Sequence, residues 1–185
     1  EIGLKKILKN KSIFKNLCFL ENVEHLKFKL DVIIITLGTP IDEWGNPITD
    51  NLMKISDLSL NNLKENGILI LRSTVVPGFN KKLLKKTNKK KINLLYCPER
   101  IVQGHALVEL MKIPQIVGAD KINIGLKKNI RKIFFFNKKF IFTSLEEAEL
   151  IKLFNNFWRY GTFALTNQMY LIAKKFDQSY EKILN

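Results

Sequence analysis

Residues 31–37 read DVIIITL, a continuous apolar run rich in β-branched side chains. A run of this kind suits a strand buried on both faces of a parallel sheet. It ends in Gly38-Thr39-Pro40 and the polar loop IDEWGNPITDN, after which the pattern predicts a helix over 52–65 with Asn66-Gly67 as its stop signal. A second strand over 68–71 ends in Arg72-Ser73-Thr74, and a turn leads to a helix over 79–88 with a solvated lysine end. A third strand over 92–96 ends in Cys97-Pro98-Glu99-Arg100. Strand, loop and helix alternating in this way argue for βαβ units and a parallel sheet. Residues 114–118 (PQIVG) predict a further short strand, 124–136 a helix and 139–142 another strand. Ahead of the first strand, EIGLKKILKN enters a helical pattern at once, as a cut-out segment would. NLCFLEN then reads as a short strand and 23–30 as a helical turn or brief helix.

The stretch 143–176 is the longest helical pattern. Ser144 with Glu147 three residues on fits a capping box, and Glu146, Glu147 and Glu149 put negative charge on the positive end of the helix dipole. At roughly 100° per residue, Leu150, Phe154, Phe157, Trp158, Gly161 and Leu165 share one stripe, while Lys152, Asn156 and Arg159 share the opposite one. A polar stripe is ordinarily a solvated surface. Here Phe163 and Tyr170 continue it, and a helix apolar on both sides is covered on both. Lys152, Asn156 and Arg159 are therefore expected to point into a cleft, with the bulky stripe as the packing face.

The chain has 185 residues, 46% of them hydrophobic, enough to bury one domain's core with some extra. Its 31 Lys plus Arg against 17 Asp plus Glu leave a charge of +14, a balance that raises the question of nucleic acid. The excess is mostly Lys scattered beside Asn, Ile and Phe, which reads as compositional bias rather than clustered Arg with exposed aromatics, so no nucleic-acid partner is expected. No apolar run approaches the ~18–20 residues that span a bilayer, and no signal-peptide pattern opens the chain. A soluble, cytoplasmic protein without a membrane partner is expected. Cys18 and Cys97 stand apart with no CxxC spacing, which predicts buried free thiols and no metal site. His25 and His105 are isolated and receive no catalytic role.

In open α/β sheets, ligands bind outside the carboxyl ends of the strands. Those ends carry GTP, RST and PER. Gly38, Thr39, Ser73 and Thr74 allow close backbone approach and offer hydroxyls, and the third end supplies an acid and a cation. Taken one at a time, each has a plainer reading: Thr39 before Pro40 as a loop start, Thr74 as a turn cap, and Glu99-Arg100 as a surface ion pair.

The ordered set DVIIITLGTP, LRSTVVPG, CPERIVQG and AELIKLFNNFWR resembles the nucleotide-sugar 6-dehydrogenase family, which includes the UDP-glucose and UDP-N-acetylmannosamine dehydrogenases. The resemblance implies an α/β fold: a partial Rossmann-like parallel sheet, followed by a long helix that begins an all-helical central domain. Residues 1–143 would be the second part of the NAD-binding domain and 144–185 the start of the central helical domain, through which the family forms homodimers. It further implies NAD as cofactor and a UDP-sugar as substrate, with Gly38, Thr39, Pro40 and Thr74 at the cofactor. Glu99, Lys152 and Asn156 would be catalytic, and Arg100, Ile101, Lys152, Asn156 and Arg159 would face the sugar. The implied reaction oxidises a C6 alcohol to a carboxylate in two steps, each reducing an NAD, for surface polysaccharide precursors. A cysteine traps the aldehyde as a thiohemiacetal, which becomes a thioester and is hydrolysed. An ammonium beside the C6 oxygen can stabilise alkoxide character, an amide can fix that oxygen and a carboxylate can orient water.

The family's glycine-rich phosphate turn and its nucleophilic cysteine, in a third nucleotide-sugar domain, match nothing in these residues, so this stretch alone is not expected to complete the reaction. Gln103 stands where the UDP-glucose branch resembles an acid, and Gln168 replaces a usual Glu. Arg100 and Arg159 resemble the N-acetylhexosamine branch, and fixed guanidinium donors suit a substrate with extra acceptors. UDP-N-acetylmannosamine is the expected substrate. UDP-glucose is the alternative, and a non-catalytic, basic α/β binding module is the alternative of another class.

Overall fold

The computed structural model of the protein describes residues 17–21, 26, 28–101, 104 and 106–185. The opening helical pattern, half of the one at 23–30, His25, Gln103 and His105 lie outside these residues. In chain order the elements are β1 (Leu30–Ile35), α1 (Asp50–Asn62), β2 (Leu63–Leu71), α2 (Phe79–Lys89), β3 (Asn93–Tyr96), α3 (Ala106–Lys112), β4 (Gln115–Gly118), α4 (Ile124–Ile133), β5 (Phe140–Thr143), α5 (Leu145–Lys175) and α6 (Tyr180–Leu184).

The strands form one sheet in the order β1-β2-β3-β4-β5. Pairing is parallel from β1 through β3 and between β4 and β5, so the expected parallel sheet holds for most of its width. The exception is the β3/β4 pair, which meets antiparallel at Tyr96 and Gly118. The connection between them, which contains the unanticipated helix α3, doubles back at the carboxyl end of β3 instead of crossing the sheet. Alternate residues of the strands feed two cores. Ile35, Leu69, Leu71, Leu94 and Tyr96 pack with Leu52 and Leu60 of α1, Phe79 and Leu83 of α2, and Leu145 and Ala148 of α5. Ile68, Ile70, Leu95, Cys97 and Val117 pack with Leu126 and Ile130 of α4 and with Phe134 just after it. Helices thus cover both faces, as βαβ connections require.

Four expectations are corrected. Helix α1 stops at Asn62, because Leu63 is already extended and pairs with Leu30. The Asn66-Gly67 signal instead shapes a bulge before pairing resumes at Val32 and Ile68: Asn66 takes φ 61°, and a Cβ on Gly67 would lie 2.8 Å from Lys64 O. Strand β1 is an edge of the sheet among the described residues, with Ile34 45% exposed, so it is not covered on both faces there. Residues 17–20 form no strand and are exposed, which leaves the Cys18 thiol at the surface, whereas Cys97 is buried and free. The bulky stripe of α5 does not pack within the described chain: Phe157 and Trp158 are 75% and 77% exposed. Only the foot of this long helix rests on the sheet, and near its far end it meets α6, where Tyr170 and Tyr180 pack edge to face.

The foot is seated by a glycine. A Cβ at Gly118 in β4 would lie 2.6 Å from Ala148 Cβ and 2.9 Å from Ser144 O, so only glycine lets α5 begin directly on the strand. At this end the predicted capping box is present, with Ser144 and Glu147 satisfying each other's backbone N–H groups. Gly118→Ala is expected to lower stability by about 1–3 kcal/mol through overpacking. Thermal unfolding followed by circular dichroism checks this, and an unchanged Tm would mean that the helix foot yields without cost.

Candidate active cleft at the strand ends

The sheet ladder runs one step beyond the regular strands. Arg72 N–H donates to Ile35 O and Cys97 N–H to Leu71 O, at 2.9 and 2.8 Å, so the segments after β1, β2 and β3 leave the sheet side by side. A cleft of about 430 Å³ opens there, lined on one side by Gly38 and Thr39, in the middle by Arg72, Ser73 and Thr74, and beyond them by Glu99 and Ile101, with Lys152 of α5 closing it. Six of the residues predicted for the site therefore share one concavity: Gly38, Thr39, Thr74, Glu99, Ile101 and Lys152. Pro40, Arg100, Asn156 and Arg159 do not line it.

Glu99 is the most heavily engaged group in the cleft. One carboxylate oxygen accepts the Arg100 and Ile101 backbone N–H groups, at 2.8 and 3.1 Å. The other pairs with the Arg72 guanidinium. Its partner is thus Arg72 and not the neighbouring Arg100, which corrects the surface-pair reading. Arg72 is itself fixed by Gln115 Oε1 at 3.2 Å and by the face of Phe134, whose centroid lies 5.2 Å from the guanidinium carbon. The Arg100 guanidinium is turned to the carbonyl of Pro114. Burial holds that guanidinium's pKa below its usual value, against the opposing pull of Glu99.

Lys152 is half-buried and donates from Nζ to the backbone carbonyl of Glu99. Burial pushes its ammonium below the ordinary lysine value; Glu99 opposes this, and the like charges of Arg159, Arg100 and Arg72 add to it. The helix thus carries an ammonium with weakened hold on its proton onto the backbone carbonyl of a residue whose own carboxylate is anchored. Arg159 is half-buried farther along α5, and Asn156 is exposed. The Ser73 hydroxyl is buried beside Thr74 and has no hydrogen-bond partner among the described residues. Cys97, at the carboxyl end of β3, is buried, and burial pushes its thiol up to about 12, which disfavours the reactive thiolate.

Sequence reasoning missed two residues here. Arg72 was visible in RST, but its partner lies 27 positions away and no local spacing signals the pair. Glu149 was read as helix-dipole charge, whereas its carboxylate is buried against the start of α2. Among the described residues no cluster of three or more His, Cys, Asp or Glu could hold a metal ion, and no helix is long and apolar enough to cross a membrane.

Residues 1–135 match the NAD binding domain of the UDP-glucose/GDP-mannose dehydrogenase family. The UDP-N-acetyl-D-mannosamine dehydrogenase of Methanocaldococcus jannaschii is 33% identical over 152 residues, covering 80% of this chain and 35% of that protein. The enzyme of the same name from Methanococcus maripaludis is 32% identical over 173 residues, covering 91% and 39%. The chain thus spans little more than a third of the length of these relatives. Among solved structures, a UDP-glucose dehydrogenase from Pyrobaculum islandicum superposes with a TM-score of 0.80 at 19% identity, over 99% of this chain and 44% of that one. A UDP-D-ManNAc dehydrogenase from Pyrococcus horikoshii gives 0.78 at 24%, over 97% and 43%. At these identities the structural likeness establishes the shared fold.

The cleft electrostatics are directly measurable. Because the folded protein favours the neutral amine, the pH midpoint for acetic anhydride labelling of Lys152 is expected below the ordinary lysine value of about 10.4. Arg159→Ala removes a like charge and should raise the midpoint, whereas Glu99→Gln removes the opposing anion and should lower it further. A wild-type midpoint at or above the ordinary value would mean that pairing with Glu99 outweighs burial.

Proposed function

Since the chain belongs to the UDP-glucose/GDP-mannose dehydrogenase family, we propose that its cleft is the part of an NAD-dependent nucleotide-sugar 6-dehydrogenase where cofactor and sugar meet. The observation that carries this reading is the docking of Lys152 on Glu99 across from Thr39 and Thr74, so that one concavity joins hydroxyl-bearing strand ends to a proton-transfer group. The whole protein oxidises the C6 alcohol of a UDP-sugar to the uronate in two steps. Residues 1–143 belong to the cofactor domain and 144–185 begin the central helical domain, whose exposed apolar stripe fits a homodimer interface. A cytoplasmic location accords with a soluble sugar nucleotide and cofactor, and no nucleic-acid or membrane partner is invoked.

The residues present fit a dinucleotide. Gly38 is open to approach, since among the described residues nothing lies within 4 Å of where its Cβ would be, and Ser73 offers a buried hydroxyl without a partner among them. Gly38, Thr39, Pro40, Ser73 and Thr74 would hold NAD, which when bound supplies the two-electron acceptor. Lys152 takes up the C6 hydroxyl proton as the amine, or stabilises the negative charge that develops on that oxygen as the ammonium, and its lowered proton affinity suits proton exchange there. Asn156, one turn along α5, fixes the same oxygen. Glu99, with its carboxylate already engaged by three donors, acts as an oriented anion beside Lys152 and a water. Ile101 lies against the sugar.

UDP-N-acetylmannosamine or a related N-acetylhexosamine is the proposed substrate. The names of the archaeal relatives support it, as does Arg159, which lies on the helix side that carries Lys152. Arg100 contributes through its backbone, because its guanidinium is committed to Pro114.

The test uses the full-length protein. NADH formation is expected to show a higher kcat/KM with UDP-N-acetylmannosamine than with UDP-glucose, and Lys152→Ala is expected to lower kcat by about 10²- to 10⁴-fold while NAD still binds. Preference for UDP-glucose would overturn the branch and leave the reaction class standing. Absence of NADH formation with every UDP-sugar would overturn the class.

A further inference from the structure

Glu149 is 1% exposed and lies outside the cleft, yet both of its carboxylate oxygens are engaged. Its carboxylate accepts the Gly78 backbone N–H at 2.7 Å, the Asn80 backbone N–H at 2.8 Å and the Asn80 side-chain Nδ2 at 2.9 Å. The backbone donors are the unpaired N–H groups at the start of α2. The helix has no cap of its own there, because its N-cap, Gly78 at φ 84°, has no side chain to offer. An acid from a different helix takes that place, where the helix dipole favours negative charge and the hydrogen bonds are charge-assisted. The start of α2 is consequently closed to any external anion.

The connection spans the two walls of the cleft. Thr74 lies four residues before Gly78 on the segment that enters α2, and Lys152 lies three residues after Glu149 on α5. Residues three apart on a helix share a face. On the neighbouring side of the helix foot, Ala148 sits against Gly118 with no room for a Cβ between them. The foot of α5 is thus pinned by van der Waals contact to β4 and by a buried carboxylate to the segment that carries Ser73 and Thr74.

We propose that Glu149 is a positioning residue, which sets the spacing between the Ser73–Thr74 wall and the Lys152 ammonium. The proposal rests on the functional reading above, in which the Ser73–Thr74 wall holds NAD and the Lys152 ammonium faces the sugar's C6 oxygen. Glu149 touches neither sugar nor cofactor and acts through α2 and α5. A purely architectural role would reduce stability and leave turnover alone. A positioning role separates kcat from KM, because proton transfer needs accurate geometry whereas binding is spread over many contacts.

The experiment compares full-length wild type with Glu149→Gln, which keeps the shape but turns an amide N–H₂ toward a backbone donor, and with Asn80→Ala, which removes one donor and leaves both backbone bonds. Amide hydrogen exchange at Gly78 and Asn80 is measured beside kcat and KM for NAD and UDP-N-acetylmannosamine. Glu149→Gln is expected to speed exchange at both amides and lower kcat by about 10- to 100-fold, with each KM changed by less than about threefold. Asn80→Ala should lie between it and wild type. Faster exchange with unchanged kcat would overturn the proposal, as would a parallel rise of both KM values without loss of kcat. If Glu149→Gln fails to fold, Asn80→Ala decides: a reduced kcat at normal thermal stability supports positioning, and an unchanged kcat overturns it. A wild-type protein without dehydrogenase activity would overturn the functional reading itself, an outcome told apart by the absence of turnover before any substitution.

Discussion

A helix of 31 residues whose foot alone rests on a sheet is a lever, and whatever it carries is placed only as accurately as that foot is held. Two contacts of opposite kind hold it here. The Gly118–Ala148 approach is steric: it fixes how close α5 comes to β4 and depends on a missing side chain. The Glu149 carboxylate at the start of α2 is electrostatic and directional, and it supplies acceptors that α2 lacks. Together with the Ser144–Glu147 capping box, which fixes where the helix begins, they decide that Lys152 reaches Glu99 rather than solvent. Beyond this foot the helix projects with its aromatic stripe exposed, so within the described residues the hydrophobic burial that usually docks helices is confined to the foot, at Leu145 and Ala148.

The cleft's chemistry follows from an imbalance of charge in a partly buried place. Arg72, Arg100, Lys152 and Arg159 all act on the one region where Glu99 is the opposing anion. Arg72 and Arg100 are occupied, by the Glu99 carboxylate and the Pro114 carbonyl. Lys152 is held by a neutral carbonyl, so its ammonium gains no direct partner of full charge. Burial then decides the sign, and the lysine parts with its proton more readily than in water. The same excess of cations suits an anionic substrate such as a nucleoside diphosphate sugar.

Much of this was legible in the sequence, because the features concerned are local. Periodicity located the strands, Ser144 and Glu147 marked the start of α5, and the three short polar segments after the strands gathered at one edge, as parallel topology requires. What escaped was set by distant neighbours. The antiparallel turn into β4, the bulge at Asn66, the exposed edge of β1 and the pairing of Arg72 with Glu99 all depend on what lies across the sheet. Glu149 was misread for the same reason: its position on α5 suggested that helix's own dipole, whereas its partners are residues 69 and 71 positions away. The apolar stripe of α5 was correctly identified as apolar, but periodicity reports that a face needs cover without saying which chain provides it.

In the proposed function the GTP, RST and PER strand ends and Lys152 enclose the reacting carbon. A crystal structure of the full-length protein with NAD and UDP-N-acetylmannosamine tests this most directly, through the distance from Lys152 Nζ to the sugar's C6 oxygen. A hydrogen-bonding separation of about 2.6–3.2 Å is expected, with the nicotinamide between that oxygen and Thr74. A sugar whose C6 lies away from Lys152, with the lysine still on the Glu99 carbonyl, would contradict it.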